Sequence, residues 1–452
     1  MEPWRRLVAD YRSGLGDSGR ADDDLPPLDG DRDAWLAATL PVLDLAAGAV
    51  AALAAAARRA GATGALVERG PSPARVAASF GSDRLLRLDG RPVQGFAPLS
   101  GFFRTADGWV RTHANYPHHR ARLLRLLALP DGADRDDAAA RLAHLSAATL
   151  EDAAAATGAV LVRVRTEAEW RATEAGRAAG QGPLVRSRAR DDVAAGRAAL
   201  PGGPAPLAGI RVLDLTRVIA GPVATRALAA LGADVLRVDP PVPAEIRHQH
   251  LDVGQGKRSA LLDLRDDGDR ERAQALLDEA DVLVTGYRPG ALDRYALRPP
   301  PGAVVAHVSA WGDDGPWANR RGFDSIVQAG SGIALVESPD GAAPGALPAQ
   351  ALDHATGYLL AAGVVDALAD RDADGRGRDM SAALARTAAW LLDADGRDPA
   401  HAPAATPAPD AVVSHGHRPR VTTARPALPG HDDHPAPAHP WGSDHAAWSG
   451  PA

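Results

Sequence analysis

The 452-residue chain contains no cysteine, so it has no disulfide, no thiolate for a metal and no cysteine nucleophile. Lysine is almost missing as well: Lys257 stands alone in a chain whose other basic side chains are arginine. Aromatic residues make up only 4% and there are two methionines, so leucine, valine and alanine must build most of the core. A net charge of -7 lacks the basic excess that nucleic acid or an anionic membrane surface requires, and neither is expected as a partner. The alanine-rich stretch Leu45 to Ala57 is too small-sided for a membrane span. The opening MEPWRRLVADYRSG is charged where a secretory signal would be apolar, so a cytoplasmic protein is expected.

What is present is 45% hydrophobic content over a length sufficient for two domains. The most informative stretch is Leu207 to Asp239. Ile210 to Leu215 is a short branched apolar run, Gly221-Pro222 a turn, Ala224 to Leu231 a run of strong helix formers, Gly232 a stop, and Asp234 to Val238 a second apolar run. Strand, helix and strand in that order form a crossover unit of a parallel sheet, with the ligand site at the strand-to-helix turn. Asp239 closes the second strand where a ribose-binding acid of a nicotinamide enzyme would stand. Only Gly221 occupies the turn, so the three-glycine fingerprint is absent and no NAD is expected.

Along the chain, residues 1–32 read as a loosely held polar lead-in, and 33–186 as a small α+β domain. Its Gly101 to Val110 contains an Asp-Gly hairpin, followed by helical segments and a capped helix from Thr166. Residues 187–206 read as a linker ending in Pro201-Gly202-Gly203-Pro204. Residues 207–397 alternate strands and helices, which predicts an α/β, Rossmann-like, mostly parallel sheet, with a helix started by Pro289 carrying Arg294. Residues 398–452 form a tail rich in proline, alanine and histidine. His415, His417, His431, His434, His439 and His445 show no ligand spacing, so no metal is expected. Two segments echo each other: Leu43-Asp44-Leu45-Ala46-Ala47-Gly48 and Leu352-Asp353-His354-Ala355-Thr356-Gly357, each following a Leu-Pro and opening an alanine-rich helix. This is a candidate internal repeat, set against chance similarity of two alanine-rich helices.

The stretch from Leu207 resembles the opening of the family III acyl-CoA transferases, L-x-G-x-[RK]-V-L-D-L-[ST]-x-V-x-A-G-P, and continues through G-A-[DE]-V-[IL]-[RK]-V-[ED]. Gly256-Lys257-Arg258-Ser259, Tyr287-Arg288-Pro289-Gly290 and the hairpin at Gly101 are similar to later segments of that family. The order differs, because here the small-domain-like part precedes the large one, as in a permuted or partly duplicated member. The resemblance implies coenzyme A as substrate, an acyl-CoA donor and a carboxylic acid acceptor as partners, and a homodimer. It implies CoA contacts from Arg217, Val218 and Ala220, then Leu262 and Arg265, then Tyr287, Arg288 and Arg294. Lys257 on composition alone reads equally as a surface lysine.

Moving CoA between acids needs a carboxylate that can form a mixed anhydride and then a thioester. On its residues alone Asp353 reads as a helix N-cap; the resemblance implies the nucleophile. Asp44, in the echo, reads as structural. A racemase of the same family would use a histidine in a Gly-His-Asp triplet, and here Gly322-Phe323-Asp324 replaces it with a side chain that carries no proton. Pro240 and Ala310 stand where the family has basic or polar residues, which keeps a catalytically silent CoA-binding paralogue as the alternative. An acyl pocket is expected near Trp311, Trp317 and residues 330–332.

Overall fold

The computed structural model describes residues 1–16, 25–32, 34–193, 199–416 and 418–450; parts of the expected lead-in (17–24) and linker (194–198), and His417 of the tail, lie outside the described residues. At its centre is a seven-stranded sheet built from β1 (Val185–Val193), β2 (Arg211–Leu215), β3 (Asp234–Asp239), β4 (Arg258–Leu261), β5 (Val282–Thr285), β6 (Val304–Ser309) and β7 (Arg376–Ala383). The order across the sheet is β1-β7-β6-β5-β2-β3-β4. All neighbours run parallel except the edge strand β1, which is antiparallel to β7. The six parallel strands, counted in chain order, therefore stand as 3-2-1-4-5-6, the doubly wound arrangement. Its switch point lies between β2 and β5, and a ligand crevice belongs beyond their carboxyl ends.

The helices that matter for the site are α1 (Pro3–Gly14), α2 (Val42–Arg59), α3 (Ala220–Ala230), α4 (Asp324–Ser331) and α5 (Ala351–Asp374). α3 begins at Ala220, so Gly221 and Pro222 are already helical, with proline tolerated in a first turn that has no partner for its amide. α5 is apolar on nearly all sides for five turns and is wholly buried as far as Leu368, so it forms the axis of the core. It packs against both α2 and α3. Gly375, in the left-handed region at φ 71°, ends it and lets the chain turn directly into β7.

Three expectations of segment order change. The lead-in contains α1, whose Trp4, Leu7, Val8 and Tyr11 have no exposed surface. Charged residues dilute its composition, but their spacing leaves one apolar stripe. The stretch from Ser187 to Val193 is not linker but most of β1: it lies at the sheet edge, where no residue after Val185 is buried, and so reads as polar. The small domain is shorter than 33–186, because α2 and its neighbours belong to the large core. The small domain has its own core where the antiparallel strands Gly101–Thr105, Gly108–Thr112 and Leu161–Arg163 close over Phe103, Val110, Leu123, Leu142 and Leu150.

The tail has little regular structure but is held. Val412–His415 pairs with Val421–Ala424, and that hairpin joins Arg87–Leu88. Further on, Asp444 accepts from the Ser259 amide at 2.7 Å, and Trp448 donates from its indole to the Leu276 carbonyl at 3.0 Å, strapping the chain along the free edge of β4. No helix among the described residues is long and apolar enough to cross a membrane, and no three metal-ligating side chains converge there.

Candidate active site

The first turn of α5 carries Asp353 as its third residue, after the N-cap Gln350, so Asp353 is not itself the cap. That task falls to Asp324 at the start of α4. Its carboxylate accepts from the Asp353 amide at 3.0 Å and is held in turn by the side-chain amide of Gln328. The Asp353 carboxylate is thereby left free of its own helix end, buried beside a second carboxylate. Burial, with Asp324 alongside, raises the Asp353 carboxyl well above the usual range, and burial pushes Asp324 up to about 6. Two acids in one dry corner resist ionising together, so the anion of Asp353 is more basic than an ordinary aspartate.

One turn beyond Asp353, on the same face, Gly357 admits α3. A Cβ there would lie 2.5 Å from the Ala220 carbonyl oxygen and 3.0 Å from Cβ of Val223, so only glycine lets the two helices touch. The contact sets Asp353 against the amino-terminal turn of α3. Gly357→Ala is expected to cost about 1–3 kcal/mol of stability and to push Asp353 away from that turn. Thermal unfolding and CoA affinity measured together check this; an unchanged midpoint with unchanged affinity would mean the helices adjust freely.

Beneath the turn, four side chains form a buried polar knot. Asp214 accepts from the amide and hydroxyl of Thr216 at 2.9 and 2.5 Å and from the Thr225 hydroxyl at 2.5 Å. Lys257 donates to Asp214 at 3.1 Å, to Thr225 at 2.6 Å and to the Pro222 carbonyl at 2.8 Å. The one lysine is therefore buried, a compact ammonium with three acceptors for its three donors, and not the surface residue its composition allowed. Burial draws it down to about 8, against the pull of Asp214. Above this knot Val218 is held at φ 70°, a left-handed conformation that a β-branched residue rarely adopts.

The turn opens into a cleft of about 580 Å³ at the carboxyl ends of the strands. All the residues singled out from sequence line it: Asp353, Arg217, Val218, Ala220, Leu262, Arg265, Tyr287, Arg288 and Arg294. They differ in freedom. Arg217 spends its guanidinium on the Pro243 and Ala244 carbonyls, both at 2.9 Å, and lies against Glu245 at 3.4 Å. Arg265 is largely exposed and folds back on Asp263 at 2.6 and 2.8 Å. Arg288 reaches the Asn319 carbonyl with one nitrogen at 3.2 Å, and Arg294 rests on Tyr295. The segment carrying them is not the helix expected after Pro289. Gly290 at φ 74° breaks it, leaving a loop with a single short turn at Asp293–Tyr295.

Several cleft residues were not legible. Tyr116, His118 and His119 reach it from the small domain, and Arg320 and Arg321 from the loop before α4. In sequence Tyr116 to His119 reads only as the start of a helix. Burial, with His118 and the arginines around it, lowers His119 to about 3, so it is a neutral ring. Arg321 has no ion pair among the described residues and is lowered to about 10 by burial and by Arg122 and Arg288. Asp239, the would-be ribose acid, has both oxygens taken by Arg237 at 2.7 and 3.1 Å. The tryptophans do not form an acyl pocket beside Asp353. Trp170, Trp311 and Trp317 pack on one another with ring centres 4.7 to 5.8 Å apart, and neither Trp311 nor Trp317 lines the cleft.

A family model described as CoA-transferase family III matches residues 207–418. Over 190 residues the chain is 33% identical to a probable fatty acyl-CoA transferase of Mycobacterium tuberculosis, covering 38% of this chain and 48% of that protein. Over 197 residues it is 32% identical to an acetyl-CoA:oxalate CoA-transferase of Acetobacter aceti, covering 40% and 51%. A formyl-CoA:oxalate CoA-transferase of Rhodopseudomonas palustris is 33% identical over 196 residues, covering 39% and 46%. The chain thus spans about half the length of these curated relatives. A crystal structure of a hypothetical protein from Mycobacterium tuberculosis aligns at 32% identity with a TM-score of 0.39, over 42% of this chain and 58% of that one. The matched segment holds α3, the buried knot and Asp353, the parts around which the cleft is built. Residues 207–418 of this chain are thus similar in sequence to the CoA-transferase family III model and to these CoA-transferases.

Proposed function

We propose that the protein is an acyl-CoA transferase that moves CoA from an acyl-CoA donor to a carboxylic acid acceptor, with Asp353 as nucleophile. The observation that carries this reading is the position of the Asp353 carboxylate: freed from capping by Asp324, made basic by it, and opening on the cleft at the start of α3. The anion attacks the thioester carbonyl, forming a C–O bond as the C–S bond breaks, which gives a mixed anhydride and free CoA thiolate. The thiolate then attacks the aspartyl carbonyl, expelling the donor acid as its carboxylate and leaving Asp353 as a CoA thioester. An acceptor carboxylate runs the two steps in reverse. Oxyanions formed along the way are met by backbone amides at the helix end.

CoA lies along the cleft in this reading. Arg288 and Arg294, with Arg265 swinging off Asp263 and the unpaired Arg321, take the phosphates. Val218, Ala220, Leu262 and Tyr287 give it an apolar floor. Arg217 is a positioning residue, because its donors fix the 243–245 loop. That commitment also favours a second reading, a protein that binds CoA without transferring it.

Incubation with a panel of acyl-CoAs followed by hydroxylamine separates the two. Hydroxylamine converts an aspartyl thioester or anhydride to a hydroxamate, and the expected result is that modification on the Asp353 peptide alone. CoA binding with no carboxylate modified across the panel would establish the silent reading.

A further inference from the structure

The segment from Tyr287 to Tyr295 gives the cleft Tyr287, Arg288 and Arg294, yet its only regular structure is the short turn at Asp293–Tyr295. Among the described residues, two hydrogen bonds tie it to other elements. Arg288 donates to the Asn319 carbonyl at 3.2 Å, and His307 of β6 donates through Nε2 to the Tyr287 carbonyl at 2.6 Å. The second contact reaches further, because Nδ1 of the same ring lies 2.9 Å from Oδ1 of Asp313. Asp313 belongs to the turn that follows Ser309 and Ala310, which also line the cleft. One imidazole therefore clips together the loops that leave β5 and β6 at the carboxyl ends of the sheet.

The partners decide the charge of the ring. A carbonyl and a carboxylate only accept, so His307 satisfies both only by donating from both nitrogens, as an imidazolium. A neutral ring has one N–H and must give up one loop. Burial opposes the charge, but the hydrogen bonds to Asp313 and Tyr287 and the charge of Asp313 outweigh it and raise His307 above its usual value. Burial also opposes ionisation of Asp313, yet His307 lowers it, so it is a carboxylate. The other groups around the ring are already engaged or neutral. Thr285 of β5 and Ser381 of β7 pair with His307 across the sheet, and Ser381 also hydrogen-bonds Asp313. Asp379, two residues earlier on β7, is held by Arg188, and Asp314 by Arg186 of β1. The Tyr287 hydroxyl is pushed up to about 12, by burial first and then by Asp239, and stays protonated.

We propose that His307 is a positioning residue for CoA: its doubly donating ring holds the segment from Tyr287 to Tyr295 in the shape that receives CoA, and loss of one proton releases that segment. The inference rests on CoA occupying the cleft. Because the folded value of His307 is raised, the clip is complete below that value and is lost as pH rises through it. CoA affinity falls over the same range, and by linkage bound CoA raises His307 further.

The test is titration calorimetry with CoA between about pH 6 and about pH 9, a window that spans a raised histidine, on the parent protein, Asp313→Asn and His307→Gln. The parent is expected to lose at least about five-fold in affinity across the window. Asp313→Asn is expected to keep its affinity at the alkaline end. Its amide can turn the NH2 to the bare Nδ1 and its oxygen to Ser381, which leaves Nε2–H on the Tyr287 carbonyl. His307→Gln has no proton to lose there and should show none of the parent's additional fall. The phosphate and thiol of CoA, and Lys257 beneath the α3 turn, titrate alike in all three proteins and cancel in the comparison. A purely structural contact would weaken Asp313→Asn throughout and would not strengthen it relative to the parent at high pH. A parent affinity that does not fall, or profiles that run parallel in the three proteins, overturns this inference and leaves CoA in the cleft. No CoA binding by the parent at any pH overturns both.

Discussion

Asp353→Asn is expected to lower CoA transfer by at least about 10³-fold, roughly 4 kcal/mol of transition-state stabilisation, while CoA affinity stays within about two-fold. The substitution keeps size and hydrogen-bonding shape but removes the oxygen anion that must form the anhydride. The cleft contacts proposed for CoA come from other elements, so binding should persist. Isothermal titration with CoA beside an exchange assay measures both quantities. Asp353→Ala should behave alike, which removes any return of activity through deamidation. Comparable loss of binding and transfer would instead make Asp353 a structural support of the cleft.

The neighbouring acid sharpens this expectation. Because burial and Asp324 hold Asp353 protonated above the ordinary carboxylate range, the acid limb of kcat/KM should lie above about pH 4, rising as Asp353 ionises. Asp324→Asn keeps an acceptor for the Asp353 amide but removes the charge. The acid limb should then move down, and transfer above it should slow as Asp353 becomes less basic. A limb that does not move when Asp324 is neutralised would mean that burial alone sets it.

The large sheet and its switch point were legible because β2, α3 and β3 follow one another with apolar runs of the right length and a glycine stop at Gly232. The cleft residues on β2, β3, β4 and β5 follow from that order, since a doubly wound sheet puts all their carboxyl ends on one side. Tyr116, His118 and His119 were not legible, because nothing local to the small domain says which face docks on the large one. A small, partly open cavity lined by Asp83, His113, Gln249, Asp353 and His354 was hidden for the same reason, since these residues are far apart in sequence and meet only through tertiary packing. β1 and α1 were missed differently. In α1 averaging over a window hides the buried stripe of Trp4, Leu7, Val8 and Tyr11, whereas β1 after Val185 has no buried face to be read and is held by pairing with β7.

Trp4→Ala is expected to destabilise the protein by about 3–5 kcal/mol, although residues 1–32 have the composition of a dispensable lead-in. Trp4 has no exposed surface, and α1 lies on α2 at a point where Gly48 leaves no room for a side chain: a Cβ there would meet Cδ2 of Leu7 at 2.7 Å and the Trp4 carbonyl at 2.8 Å. Asp44 accepts from the Trp4 amide at 3.3 Å and from Arg32 at 2.7 Å, tying the start of α1 to α2. The echoed segments thus share a physical plan. In each, a glycine four residues after the aspartate admits a neighbouring helix, α1 at Gly48 and α3 at Gly357. In the first copy the aspartate is consumed holding that neighbour; in the second, Asp324 does the capping and leaves Asp353 open to the cleft. Since α2 packs directly on α5, loosening α1 should reach the axis of the core. Chemical denaturation of Trp4→Ala beside the parent protein measures the loss, and a change within about 0.5 kcal/mol, as at a surface position, would show that α1 is only laid against the core.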